Sequence, residues 1–188
     1  MRKMLCVIIL VFAAVPLVTR VRVGDGGRAH AALGAQAQNA VVIVASPRDP
    51  VKIDGLRVAG QNITAGQTFA GDESWVNELA ADVRNAGEKT ITELRMSVGF
   101  SADNAAQRKI HIPLAYVGVV EPGQTVRLTA SAANVASLKG ALAKQGVLVN
   151  FRRGELQTQI AKFQDGSVWV KGVVLSPRDP RTGRRRRT

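Results

Sequence analysis

The chain has 188 residues, 46% apolar and only 4% aromatic, with a formal net charge of +12. That length suits one domain with extensions and leaves little room for a second of ordinary size. The single cysteine, Cys6, lies near the start, so beyond it a disulfide framework, a thiolate zinc site and a cysteine nucleophile are all excluded.

The charge belongs to the ends. Residues 1–31 carry a net +4 and residues 176–188 a net +5, while residues 32–175 stand at only +3. Arg2 and Lys3 precede an apolar run from Met4 to Val18, and small residues follow. This is the pattern of a secretory signal, read here as residues 1–31. Ala29-His30-Ala31 and Ala35-Gln36-Ala37 are the two candidate cleavage sites. The run falls short of the ~20 residues of a spanning helix, although the charged stretch "TRVRVGDGGR" keeps an uncleaved anchor as the alternative. Cys6 sits before most of the run and reads as one more apolar residue rather than a lipidation site. The expected location is therefore outside the inner membrane: periplasm, cell surface or medium.

Residues 32–38 form a small-residue linker, and residues 39–180 read as short apolar runs broken by turn signals. "AVVIVAS" is a β-branched strand that ends at Pro47. "VKIDGLRVAG" alternates around Asp54-Gly55, a turn or bulge. "ITAGQTFAG" gives two very short strands. "SWVNELAADVRN" and "TITELRMSVGF" then read as a hairpin turned by "NAGEK", the second strand alternating over many residues. "IHIPLAYVGVV" contains Pro113, which removes a ladder donor and places that strand at an edge or bulge. "TVRLTAS" follows the turn "EPGQ". One helix is expected over "AANVASLKGALAKQG", with Val135, Leu138 and Leu142 as its apolar stripe and Gly146 just past its end. Val147–Arg153 running into "ELQTQIAKF", then "VWVKGVVL" after the Asp165-Gly166 turn, close the domain as two strands. The fold class predicted is all-β: an immunoglobulin-like two-sheet β-sandwich with one short helix, with a partly open barrel as second choice.

The pentapeptide SPRDP occurs twice, at Ser46–Pro50 and Ser176–Pro180. Both copies follow apolar runs, and their prolines fix φ and give no ladder N–H. Nothing around the two copies matches, so a stiff strand exit is the preferred reading over a repeated binding motif.

Three stretches resemble a group of exported bacterial immunoglobulin-like β-sandwich proteins that lack an assigned activity. The first is F-x-G-D-x-x-W followed by V-x-N-x-x-x-K-x-I, through Phe69, Gly71, Asp72, Trp75, Val83, Asn85, Lys89, Ile91 and Phe100. The second is the turn "EPGQTVRL". The third is similar to a closing F-D-D-G-T-x-W-x-x-G hairpin with an Asp-Pro tail, through Phe163, Asp165, Gly166, Trp169, Gly172, Asp179 and Pro180. Gln164 and Ser167 depart from that pattern, as does the end "TGRRRRT". The resemblance implies the sandwich and carries over no active site.

Candidate chemistry is sparse. A Ser–His–acid arrangement would have to use His111, and no G-x-S-x-G elbow accompanies it. "GDES" and "QDGS" offer acidic oxygens but not the ligand count of a calcium loop; Asp72 and Asp165 suit a cap and a turn. No cofactor or metal is expected. Trp75 and Trp169 are read as core, with a sugar-stacking platform as the alternative. Residues 181–188 are expected to be a disordered Arg-rich tail in which Arg184, Arg185, Arg186 and Arg187 are candidate polyanion contacts. Nucleic acid is not the expected partner, because the chain reads as exported and the tail has no interleaved aromatics. The function expected is a non-enzymatic exported module binding an envelope protein or an anionic envelope component, touching the membrane only through the tail or an uncleaved signal. A secreted hydrolase or glycan-active enzyme is the alternative.

Overall fold

A computed structural model describes residues 38–102 and 109–187, so the signal segment, most of the linker and Thr188 lie outside the described residues. The described chain is a two-sheet β-sandwich with one short α-helix. In chain order the strands are β1 (Gln38–Ile43), β2 (Val51–Val58), β3 (Gln61–Ile63), β4 (Thr68–Ala70), β5 (Leu79–Asn85), β6 (Ile91–Ser101), β7 (Lys109–Val120), β8 (Thr125–Thr129), β9 (Arg153–Phe163), β10 (Val168–Val170) and β11 (Val173–Leu175). A 3₁₀ segment, Glu73–Glu78, precedes β5, and helix α1 spans Ala132–Lys144.

The smaller sheet runs β3-β2-β5-β8, antiparallel throughout. The larger is organised by β9. On one side β9 pairs with β6, which pairs onward with β7. On the other side its first half pairs with β1, in parallel, and its second half with β10. β4 and β11 then flank β1 and β10. Between the sheets lie Val41, Val76, Leu79, Val83, Leu94, Met96, Val98, Phe100, Ile112, Leu114, Leu128 and Leu156, all buried. The interior is filled mostly with aliphatic side chains, as the composition requires.

Several expectations change. β5 and β6 do not form a hairpin: β5 belongs to the small sheet and β6 to the large one. The corner between them is held by Asn85, whose buried amide donates to the Lys89 and Val120 carbonyls while its oxygen accepts from Gly87 N–H. "SWVNE" is not strand but the 3₁₀ turn, capped by Asp72, whose carboxylate accepts the Ser74 N–H at 2.7 Å. "VWVKGVVL" is two strands, because Lys171 and Gly172 both adopt positive φ (44° and 89°) and turn β10 into β11. Residues 147–152 are not continuous with β9. Bulges at Asp54 and Thr92 explain broken alternation in β2 and β6; the second turns Ile91 inward. β7 is an edge strand, as Pro113 suggested, hydrogen-bonded to β6 alone apart from one bridge between Leu114 and Ala130. In α1, Val135 and Leu142 are buried and Leu138 packs against the core. Gly146 follows with φ of 66°.

One close approach is unusually tight. A Cβ on Gly154 would stand 2.7 Å from Val98 Cγ1 and 3.2 Å from both Phe100 and Trp75. Gly154→Ala should therefore destabilise the protein by about 1–3 kcal/mol through overpacking. Adding Val98→Ala should recover part of the loss in denaturant titration, and a second substitution that only deepens the loss would contradict the steric account.

Candidate functional site

Both tryptophans are core residues. Trp75 donates its indole N–H to the Phe151 carbonyl at 2.8 Å, entirely buried. Phe69 and Phe100 meet it edge-on, at centroid distances of 5.4 and 5.9 Å. Trp169 is equally enclosed, so neither ring offers a face for stacking a sugar.

The acidic turns are occupied as well. Asp72 caps the 3₁₀ segment, and the Ser74 hydroxyl, then the Ser74 N–H, hold its carboxyl below the usual carboxylate range. Asp165 accepts from Lys89 at 2.6 Å and from the Ser167 N–H and hydroxyl. Lys89 first, then Ser167, lower its pKa to about 2. Lys89 also stands over the Phe163 ring. No cluster of three His, Cys, Asp or Glu side chains able to hold a metal occurs among the described residues. Phe69, Asp72, Trp75 and Phe100 thus gather at one structural node, and Asn85, Lys89, Phe163 and Asp165 at another, while Gly172, Asp179 and Pro180 lie outside both.

The two SPRDP copies share a local geometry. In each, the aspartate Oδ1 accepts the N–H of the residue after the second proline: Val51 at 3.2 Å and Arg181 at 2.8 Å. In each, the first proline packs on a glycine of positive φ, Pro47 on Gly172 and Pro177 on Gly166, so the copies bracket the two ends of β10. Burial raises the Asp49 carboxyl above its usual range, opposed by its bonds to Val51 and Thr158.

His111 lies on the outer face of β7, its ring over Gly99 of β6. Its Nδ1 is 3.2 Å from Ser97 Oγ, which also accepts from Gln159 Nε2 at 2.7 Å. Partial burial, then Lys171 and Lys109, lower the imidazole pKa, keeping it neutral at pH 7; Glu155 opposes them weakly, being itself paired to Lys109. Sequence reasoning did not single out Ser97 or Gln159, since only strand register brings them to His111. Ser97 is 5% exposed.

Three surface depressions lie elsewhere. One of about 780 Å³ covers the outer face of the small sheet, where Asp82 bridges Arg57 and Arg127 and the pair holds its carboxyl low. One of about 440 Å³ lies beside Phe69, Asp72 and Glu78, and one of about 260 Å³ between Asp49, Ile43 and Thr158. None of these includes His111.

The Arg-rich tail is not disordered as expected. Residues 176–187 turn back: Ser176 N–H donates to the Arg186 carbonyl, Asp179 N–H to that of Arg184, and Leu175 bridges Arg187. Arg185, expected as a polyanion contact, donates from Nη1 to the Gly166 and Ser176 carbonyls at 2.7 and 2.9 Å. Arg184, Arg186 and Arg187 remain exposed.

The fold and surface define a class, a filled β-sandwich with open outer faces. No family model, curated protein or solved structure matches the chain. No helix among the described residues is long and apolar enough to cross a membrane.

The Asp165 node has a pH signature. A carboxyl whose pKa falls from 3.8 unfolded to about 2 folded contributes stability above pH 3.8 that is lost as the pH drops through about 2. Asp165→Asn should lower Tm at neutral pH yet lose less of it across that acid window than the parent does. Parallel curves would show that the bond to Lys89 contributes nothing.

Proposed function

We propose that the chain is a non-enzymatic, exported β-sandwich module that binds a protein or another component of the cell envelope, with β7 as its contact strand. The observation that carries this reading is the edge of the larger sheet. Beyond its pairing with β6, β7 leaves Pro113, Ala115, Val117 and Val119 exposed in alternation, Val117 by 80% and Val119 by 56%. Edge strands are commonly blunted by charge, and here Lys109 is the one charged residue of the strand. An exposed apolar face on an edge strand is the kind of surface that a partner covers. Export is supported by the signal-like start and by the resemblance to exported sandwich proteins.

A photo-cross-linking residue in place of Val117 should give one discrete adduct in envelope preparations. Val119→Asp should reduce that adduct about tenfold. A folded chain that gives no discrete adduct would reject the reading.

A second reading, a secreted hydrolase, is favoured by the Ser97 hydroxyl placed against the neutral imidazole of His111. If it holds, the parent chain hydrolyses a small activated ester such as p-nitrophenyl acetate, and Ser97→Ala lowers that rate by at least about a hundredfold. Equal rates for parent and Ser97→Ala would remove it.

A further inference from the structure

We infer that residues 176–187 form a preorganised phosphate-binding hairpin, clamped by Arg185, whose occupant is the surface of an anionic phospholipid layer. This deepens the reading of an envelope-binding module by naming a component and a second contact surface. The hairpin is fixed by backbone bonds: Ser176 N–H to the Arg186 carbonyl at 2.8 Å, Asp179 N–H to that of Arg184 at 2.9 Å, and Gly183 N–H to that of Asp179 at 2.7 Å. Asp179 Oδ1 accepts the N–H groups of Arg181 and Thr182, closing the turn. Arg185 then stitches the hairpin to the domain, its Nη1 shared between Gly166 and Ser176 carbonyls.

What this frame presents is charge. Arg178, Arg181, Arg184, Arg186 and Arg187 are exposed, and none of them takes part in an ion pair among the described residues. The only acid in the segment, Asp179, has one carboxylate oxygen committed to backbone N–H groups. Guanidinium forks match phosphate oxygens in pairs, and a fixed array loses less entropy on binding than a free chain of the same charge. The form of the segment selects the phosphate source. It contains no aromatic ring to stack a base, and its arginines surround an exposed turn rather than line any of the depressions described above. Such a turn suits a flat field of head groups better than a single polyanionic chain.

The test is sedimentation of the full chain with vesicles of equimolar phosphatidylglycerol and phosphatidylcholine, against vesicles of phosphatidylcholine alone. The neutral vesicles measure whatever the apolar Met4–Val18 run contributes. Each arginine brought to an anionic surface is worth roughly fivefold in partitioning. Arg184→Gln, Arg186→Gln and Arg187→Gln together should therefore weaken binding to the anionic vesicles about a hundredfold, with binding to neutral vesicles unchanged. Arg178→Gln with Arg181→Gln, on the other arm, should weaken it about twentyfold. Arg185→Gln should cost more than Arg186→Gln, although each removes one charge, and should open the tail to trypsin. Parental partitioning by both multiple variants would overturn the inference. So would heparin retention lost in those variants while vesicle binding stays. Equal effects of Arg185→Gln and Arg186→Gln would overturn the clamp. An intact Val117 adduct beside failed vesicle binding would reject the hairpin and leave the module reading standing; vesicle binding without an adduct would leave the hairpin standing and reject β7 as the contact strand.

Discussion

The packing of Trp75 against the backbone at Gly154 is the constraint on which the larger sheet depends. The indole occupies the end of the sandwich, pinned by its N–H to the Phe151 carbonyl and boxed by Phe69 and Phe100. That bond is buried, so breaking it would strand a donor and an acceptor away from water, at a cost of a few kcal/mol. Phe151 lies just before β9, and Gly154 is its second residue. The contact therefore fixes where β9 begins and at what depth it lies. β9 in turn is the strand on which β1, β6 and β10 all form their ladders.

A second fixed point joins turns that are far apart in sequence. Asn85 satisfies both carbonyls at the corner between the sheets, and Lys89, four residues on, reaches the Asp165 turn. Val83, Ile91, Phe163 and Trp169 pack beneath this corner as parts of the core. Most residues that define the resemblance thus pack or bond within the domain, whereas Asp179 and Pro180 lie in the arginine hairpin.

Much of the architecture was legible in the sequence because alternation and turn chemistry are local. The strand with Pro113 announced itself as an edge, Val135 and Leu142 marked the buried side of α1, and Asp165-Gly166 marked a true hairpin. Partner choice was not legible. "NAGEK" has the composition of a hairpin turn, yet burial of Asn85 sends the chain to the other sheet. Lys171-Gly172 hid a turn because lysine seldom adopts positive φ. The Ser97–His111–Gln159 group depends on the register of three strands, which no local pattern encodes. The tail misled for another reason: four consecutive arginines predict repulsion, and the carbonyls that capture one of them lie nine and nineteen residues away in the chain.

The parallel pairing of β1 with β9 carries a consequence for the order of assembly. The small sheet draws only on residues 51–129, so every one of its ladders is available once β8 has been made. The larger sheet is different. Ala40 finds Arg153 as its register partner, and β6 has one edge bare until the same late segment arrives. Closing so long a stretch of chain must precede any reward from the contacts it brings, which slows acquisition of the native state. The strand at the heart of the molecule is among the last to be synthesised, so the larger sheet closes only after most of the chain exists.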